Sequence, residues 1–392
     1  MKSDREVYRA HVMADPAAQA FLDEATYPDD FAARAQHLAR SAGLPLDHEA
    51  LRASRRANAV APDDAWAPEG WLPTAIVEDA QGAWIDWARF GARPLTESFY
   101  QDSVARAAAR PFNRLFRHGT RLDAFIDRAP LDASAPLKGM IFHMSRCGST
   151  LVAQMLAALP AAISLSEPGP LDSAIRYALR HPELPRARRI ALLRAMMAAL
   201  ARSRSGESRC FLKLDSWHIL ALPLLRDAFP DVPWIYLFRD PVEVLVSQMR
   251  QRGYQTVPAL VPPGLYDADT ERTTQPEILC ARIFAHYHAA AVEGLATSGI
   301  AIDYATLPAA FFDRIAPHFG LRLTAAEQRR IAQASAHDAK APDNLFTADG
   351  ARKRSEAGAA VTEAATRQLG DLHDQLLRIS RSAPKDQRAA SS

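Results

Sequence analysis

From Lys138 onward, short apolar runs of strand length alternate with longer segments whose apolar residues recur at helical spacing. The clearest passage runs from Lys138 to Leu159. Met140-Ile141-Phe142 forms the apolar run, and Leu151, Val152, Met155, Leu156 and Leu159 form a helical stripe. The pattern predicts strands at 139–144, 162–166, 209–214, 233–238 and 300–304. It predicts helices at 149–159, 171–180, 188–204, 216–229, 241–252, 276–298, 306–319 and 359–380. Such alternation predicts an α/β fold, with a central parallel sheet flanked by helices on both faces. Ligands of these folds bind beyond the carboxyl ends of the strands. Arg146, Glu167, Lys213 and Arg239 all fall at or just after predicted strand ends.

Ahead of this core the pattern differs. Residues 1–54 are helical in period and polar outside. Asp15-Pro16 can open a helix, and Phe31, Ala35, Leu38 and Ala42 share a face that Gly43 ends. A further short segment is expected from Asp47. Residues 55–70 are a linker by composition. Residues 71–135 form a small α+β region. Thr74–Glu78 and Ala83–Phe90 predict a hairpin around Gln81-Gly82. Trp84 and Trp87 fall on opposite faces of a strand, so at least one is expected in a core, with a substrate platform as the alternative. Thr96 is the expected cap of a helix reaching Arg110. Arg114, Arg117 and Arg121 are a spaced basic set, either a solvated face or an attractor for an anion. The core is expected at 136–381, with a disordered tail at 382–392.

Composition narrows the function classes. The chain has 392 residues and a formal net charge of +2, which gives no bulk attraction to nucleic acid or membrane. Three cysteines, Cys147, Cys210 and Cys280, offer neither a disulfide framework nor metal-ligand spacing. No apolar run is long enough to cross a bilayer, and the N-terminus lacks a signal-peptide core. A soluble cytoplasmic protein is expected, and the Ala, Arg and Pro usage fits a GC-rich bacterial genome.

The candidate chemistry sits between the first core strand and its helix. Ser145-Arg146-Cys147-Gly148-Ser149-Thr150 is a glycine turn opening a helix. The first helical N–H groups have no partner within the helix, and the dipole favours negative charge there. Arg146 adds a planar fork of donors suited to phosphate or sulfate. A Walker-type loop does not fit, since His143 stands where its first Gly belongs and Ser149 where its Lys belongs. A phosphatase Cys loop fails too, because Ala153 stands where its Arg belongs.

Arg146-Cys147-Gly148-Ser149-Thr150 resembles the 5′-phosphosulfate loop of the sulfotransferase family. Phe238-Arg239-Asp240-Pro241-Val242-Glu243-Val244-Leu245-Val246-Ser247 resembles that family's strand–turn–helix for the 3′-phosphate of 3′-phosphoadenosine-5′-phosphosulfate (PAPS). The resemblance runs from about residue 138 to 320 in motif and order. It implies PAPS as donor, 3′-phosphoadenosine-5′-phosphate (PAP) as product, and no metal. It implies cofactor contacts from Arg146, Cys147, Gly148, Ser149, Thr150, Arg239 and Ser247.

Lys213 matches the family's strand-end lysine, and Glu167 stands at the offset of the catalytic Glu of tyrosylprotein sulfotransferases. The cytosolic enzymes instead place a His where this chain has Asp215, with His218 further on, so Glu167, Asp215 and His218 are all candidate bases. A base near the transferred group is expected to have a raised pKa. Arg352-Lys353-Arg354 lies where the family often has a late basic loop, and residues 251–274 lie where a substrate lid would be.

Val12 to Asp15, Gln19 to Leu22 and Leu38-Ala39-Arg40-Ser41-Ala42-Gly43-Leu44, with Glu49, resemble a Nif11-type leader domain of bacterial peptide precursors. That likeness implies a docking module and suggests a peptide Tyr, Ser or Thr as acceptor. A small-molecule or carbohydrate sulfotransferase, or a nucleotide-binding interaction protein without turnover, is the alternative.

Overall fold

The structure is a computed structural model that describes residues 4–46, 61–338, 341–345 and 349–382. The expected segment from Asp47, Glu49, residues 55–60 and the tail from 383 lie outside the described residues. The chain divides into two compact units. One holds residues 1–135, 168–174 and 184–208, and the other holds 136–167, 175–183 and 209–392.

The first unit begins with helices α1 (Asp4–Ala14), α2 (Pro16–Asp23) and α3 (Pro28–Ser41). Asp15 caps α2 by accepting the Ala17 N–H at 2.8 Å, with Pro16 as the first helical residue. Gly43, at φ +65°, ends α3. Leu44 N–H donates to Ala39 O and Gly43 N–H to Arg40 O, the paired bonds of a Schellman cap. The buried face of α3 is Phe31, Ala32, Ala35 and Ala39. Ala42, expected on that face, is exposed because the cap turns the chain away.

Strands β1 (Trp71–Asp79) and β2 (Gly82–Arg89) form the hairpin, and β3 (His118–Arg121) pairs antiparallel with β2. The turn is Ala80-Gln81 rather than Gln81-Gly82, because the Asp79 carboxylate accepts the Gln81 N–H at 2.8 Å. Trp84 and Trp87 are both buried. The helix expected from Thr96 spans Tyr100–Ala109, with Phe99 at its cap position. Strand β3 has no apolar alternation to announce it.

The described part of the expected linker, 61–70, is packed rather than loose. Asp63 exchanges backbone bonds with Gly119 and Arg121, and Trp66 stacks on Phe125 at 4.6 Å. Arg117 and Arg121 pair with Asp86 and Asp64, each at 2.8 Å, while Arg114 is exposed.

The N-terminal helices are bound into this unit by buried polar groups. The Trp71 indole N–H donates to Gln19 Oε1 at 2.9 Å, and Arg89 Nη1 to the same oxygen at 3.0 Å. Asp23, 3% exposed, receives Arg93 at 2.7 Å and Arg110 at 3.1 Å, with Arg89 at 3.7 Å.

The second unit is built on five parallel strands: β4 (Leu137–His143), β5 (Ala162–Ser166), β6 (Arg209–Lys213), β7 (Trp234–Phe238) and β8 (Ile300–Asp303). They are ordered β5-β6-β4-β7-β8, all parallel, and near-continuously apolar as a sheet covered on both faces should be. The order reverses at β4, the switch point at whose carboxyl end sheets of this kind bind ligands. Helix α4 (Ser149–Ala157) follows β4, and α5 (Pro241–Arg250) follows β7. Helices α6 (Pro276–Leu295), α7 (Gly350–Glu356) and α8 (Ala359–Arg381) each pack on α5, and α8 also packs on α6 and β8.

Two expected helices are broken. Asp215 caps a 3₁₀ turn, Ser216–Ala221, before the helix Leu222–Ala228. Leu307 is extended ahead of Pro308, so the helix expected from 306 is interrupted there and resumes at residues 309–310, with a π-helical stretch at Phe311–Ile315. Residues 251–274 hold 3₁₀ turns at Tyr254–Thr256 and Pro258–Leu260 and a short helix, Ala268–Glu271. Among the described residues no helix is long and apolar enough to cross a membrane.

Candidate functional site

The loop after β4 holds an unusual backbone. Ser145, Arg146 and Gly148 have φ of +79°, +53° and +82°. The two non-glycine residues cost on the order of 1–3 kcal/mol each, so their surroundings must impose the turn. The Ser145 N–H donates to His143 Nδ1 at 3.0 Å. The side-chain amides of Gln248 and Gln255 donate to Ser145 Oγ at 3.2 and 2.9 Å. Gly148 is required twice over, by its φ and by the Tyr304 ring, which lies 2.7 Å from where a Cβ would stand.

Helix α4 starts at once, with Ser149 and Thr150 buried in its first turn. The first-turn N–H groups therefore open at the carboxyl edge of the sheet. Cys147 is buried. Its thiol donates to Leu237 O at 3.2 Å, and burial pushes its pKa up to about 11. Arg146 is half-buried and donates to Gln251 O at 3.1 Å.

The neighbouring strand ends bring Glu167 and Lys213 together. Ser166 and Lys213 are register partners on β5 and β6, and the Glu167 N–H donates to Lys213 O at 2.8 Å. Glu167 then adopts φ +49°. That turn carries its Oε1 onto the ammonium of Lys213, which is only 1% exposed. His143 Nε2 approaches the same oxygen at 3.5 Å. Burial raises the Glu167 pKa, but Lys213 and then His143 outweigh it and hold the carboxyl well below the usual carboxylate range. The raised pKa expected of this residue is therefore corrected: beside Lys213 the group is a carboxylate. His143, buried and beside Lys213, has its pKa lowered and is neutral.

Arg239 begins the turn after β7 and is 5% exposed. Its guanidinium donates from Nε to Glu243 Oε2 at 2.6 Å and from Nη2 to Asp349 Oδ1 at 2.8 Å, and its Cζ lies 4.1 Å from the centre of the Tyr304 ring. Lys353 pairs with Asp349 at 2.8 Å, and Arg354 pairs with Glu243. The late basic triplet thus reaches the Arg239 cluster through Lys353 and Arg354, while Arg352 lies beside Glu356 at 4.0 Å. Three cations share two carboxylates, which leaves positive charge to spare. Ser247 lies two turns along α5 and donates to Glu243 O at 3.1 Å.

Asp215 and His218 are engaged with each other. The Asp215 N–H donates to His218 Nδ1 at 3.1 Å, and the Asp215 carboxylate caps the turn in return. This gives both alternative bases a local capping role, whereas Glu167 meets the strand-end lysine. Sequence reasoning missed His143, Glu243, Asp349, Gln248 and Gln255. Glu243 could have been found, since it stands one helical turn after Arg239. Asp349 had no local signal.

Residues 140–325 match a family model described as the sulfotransferase family. The segment holds all the site residues above except those of α7 and Asp349. No curated protein matches the chain. Among solved structures, the chain is similar to sulfotransferase STF9 from Mycobacterium avium at 16% identity and TM-score 0.42, covering 64% of this chain and 80% of that one. It is also similar to sulfotransferase STF1 from Mycobacterium tuberculosis, at 16% identity and TM-score 0.38, covering 69% and 86%. A sulfotransferase domain from the curacin biosynthetic pathway is similar at 14% identity and TM-score 0.37, covering 63% and 98%. All three TM-scores lie below 0.5, so the functional conclusion rests on the family match and the site's own residues. The family match supports an enzyme that transfers sulfuryl groups.

Proposed function

We propose that this protein moves a sulfuryl group from PAPS to an acceptor hydroxyl, with a tyrosine, serine or threonine of a peptide as the first acceptor class. The observation that carries the reading is the meeting of Glu167 and Lys213 at the strand edge from which Arg146 and Arg239 also emerge. The residues fit the donor on this structure's own terms. Arg239 already holds two carboxylates, Glu243 and Asp349, as an oxyanion site would. The α4 first turn and Arg146 offer donors for a second anionic group.

PAPS, when bound, supplies an activated sulfur–oxygen bond. The Arg146–Thr150 loop would hold its 5′-phosphosulfate, and Arg239 and Ser247, with Lys353 and Arg354, its 3′-phosphate. Lys213 would meet the charge that develops on the leaving phosphate oxygen. Glu167 would take the acceptor's proton. Its Oε1 is held by Lys213 and faced by His143. Its Oε2 has no protein partner among the described residues and is the oxygen left to act. As the lysine turns toward the leaving oxygen, its hold on Glu167 weakens and the carboxylate becomes a stronger base. The new bond forms from the acceptor oxygen to sulfur as the bond from sulfur to the phosphate oxygen breaks. The peptide class rests on the likeness of residues 12–49 to a peptide-leader domain.

The test is incubation with sulfur-labelled PAPS and a panel of tyrosine, serine and threonine peptides, simple phenols and sugars. Label on a peptide, lost with Glu167→Gln, supports the reading. Label on phenols or sugars alone would move the acceptor class, and PAP binding without transfer to any acceptor would contradict the enzyme reading.

A further inference from the structure

No reading of the sequence assigns His143 a role, yet it touches both halves of the site. It is the last residue of β4, 4% exposed. Nδ1 accepts the Ser145 N–H at 3.0 Å, which fixes the neutral tautomer with its proton on Nε2. Nε2 lies 2.9 Å from Leu214 O and 3.5 Å from Glu167 Oε1. One face of the ring therefore secures the turn that carries Arg146, and the other faces the carboxylate.

We propose that His143 is a positioning residue: its Nδ1 holds the anion loop in its left-handed turn, and its Nε2–H keeps the Glu167 carboxylate aimed when Lys213 turns toward the donor. The proposal rests on the PAPS reading. Its physical basis is the approach of two groups to one oxygen: Lys213 pairs with Oε1, and the Nε2–H that donates to Leu214 O at 2.9 Å stands 3.5 Å from it. A lysine that moves to the leaving oxygen abandons Oε1, and the imidazole, fixed by backbone at both nitrogens, does not move with it. A neutral imidazole suits that task, since it restrains the carboxylate with a smaller pull on its basicity than an ammonium exerts.

Two conservative variants separate the two nitrogens. The amide oxygen of His143→Asn can replace Nδ1 as acceptor of the Ser145 N–H, but its side chain stops short of Glu167. The amide of His143→Gln reaches toward Nε2 and loses the short acceptor. The measurements are PAP affinity by calorimetry and turnover of PAPS to PAP with a tyrosine peptide present. Expected are PAP affinity within about twofold of wild type and turnover down roughly tenfold for Asn. For Gln the expectation is reversed, with affinity down about fivefold and turnover at saturating donor largely kept.

Parallel loss of affinity and turnover in both variants would make His143 merely structural and overturn the proposal. So would no effect in either. Absence of PAP binding by the wild type would instead strike the donor reading itself.

Discussion

Arg239 donates to Asp349 Oδ1 at 2.8 Å, across 110 positions of sequence. The contact places a carboxylate of the chain on the guanidinium that the 3′-phosphate reading assigns to the donor. Asp349 is therefore a resident competitor. Asp349→Asn should tighten PAP binding about threefold to tenfold, more at low ionic strength than at high. Calorimetric titration at two salt concentrations checks this. Weaker binding would mean that Asp349 aims Arg239 rather than competing for it.

The Glu167–Lys213 pair makes a stability prediction with a definite sign. Lys213 is 1% exposed, so Glu167→Gln takes from a buried ammonium the carboxylate that meets it. Loss of one partner of a buried pair costs about 3 kcal/mol or more. Lys213→Met combined with Glu167→Gln should recover most of that stability and none of the activity. The Glu167 pKa is lower in the folded protein than in the unfolded chain. Its stabilisation is thus fully present above the unfolded value, about 4.3, and is lost as pH falls toward the folded value. Urea melts from neutral to acid pH should show the wild type converging on Glu167→Gln only in acid. A gap that persists unchanged into acid would contradict the pairing.

Gly148 sets a geometric test. Its φ of +82° and the Tyr304 ring both exclude a side chain. Gly148→Ala should lower PAP affinity at least tenfold, since the left-handed turn alone costs about 1–2 kcal/mol in an alanine. The measurement is PAP titration of a variant whose melting temperature lies within a few degrees of wild type. Unchanged affinity would show that the loop does not hold the nucleotide.

Much of the second unit was legible in the sequence, because its strands are fully buried apolar runs and its anion loop is local in sequence. Gly148, Ser149 and Thr150 declared a glycine turn and helix start through backbone needs that any reader of sequence can apply. Contacts between distant residues were not legible. Nothing near Asp349 points to Arg239, and the sign of the Glu167 pKa depended on how closely Lys213 approaches it. Strand β3 was missed because His118–Arg121 is held by backbone pairing and by Asp63, not by apolar alternation.

The N-terminal helices looked separable, yet Gln19 and Asp23 tie them to Trp71, Arg89, Arg93 and Arg110. Asp23→Asn should therefore destabilise the protein by about 3 kcal/mol, because it removes the carboxylate facing three arginines. Deletion of residues 1–46 should leave the first unit unable to melt cooperatively. Differential scanning calorimetry reads both. A truncated protein with an unaltered melting profile would show that the helices form an independent module.

The central claim is a two-anion nucleotide site, and calorimetric titration of PAP into wild type and Arg239→Ala tests it most directly. The account predicts one-to-one binding by wild type and a loss of at least about tenfold for Arg239→Ala, the cost of a charge-assisted contact to a phosphate. A folded wild type that does not bind PAP, or a variant that binds it equally well, would contradict the account.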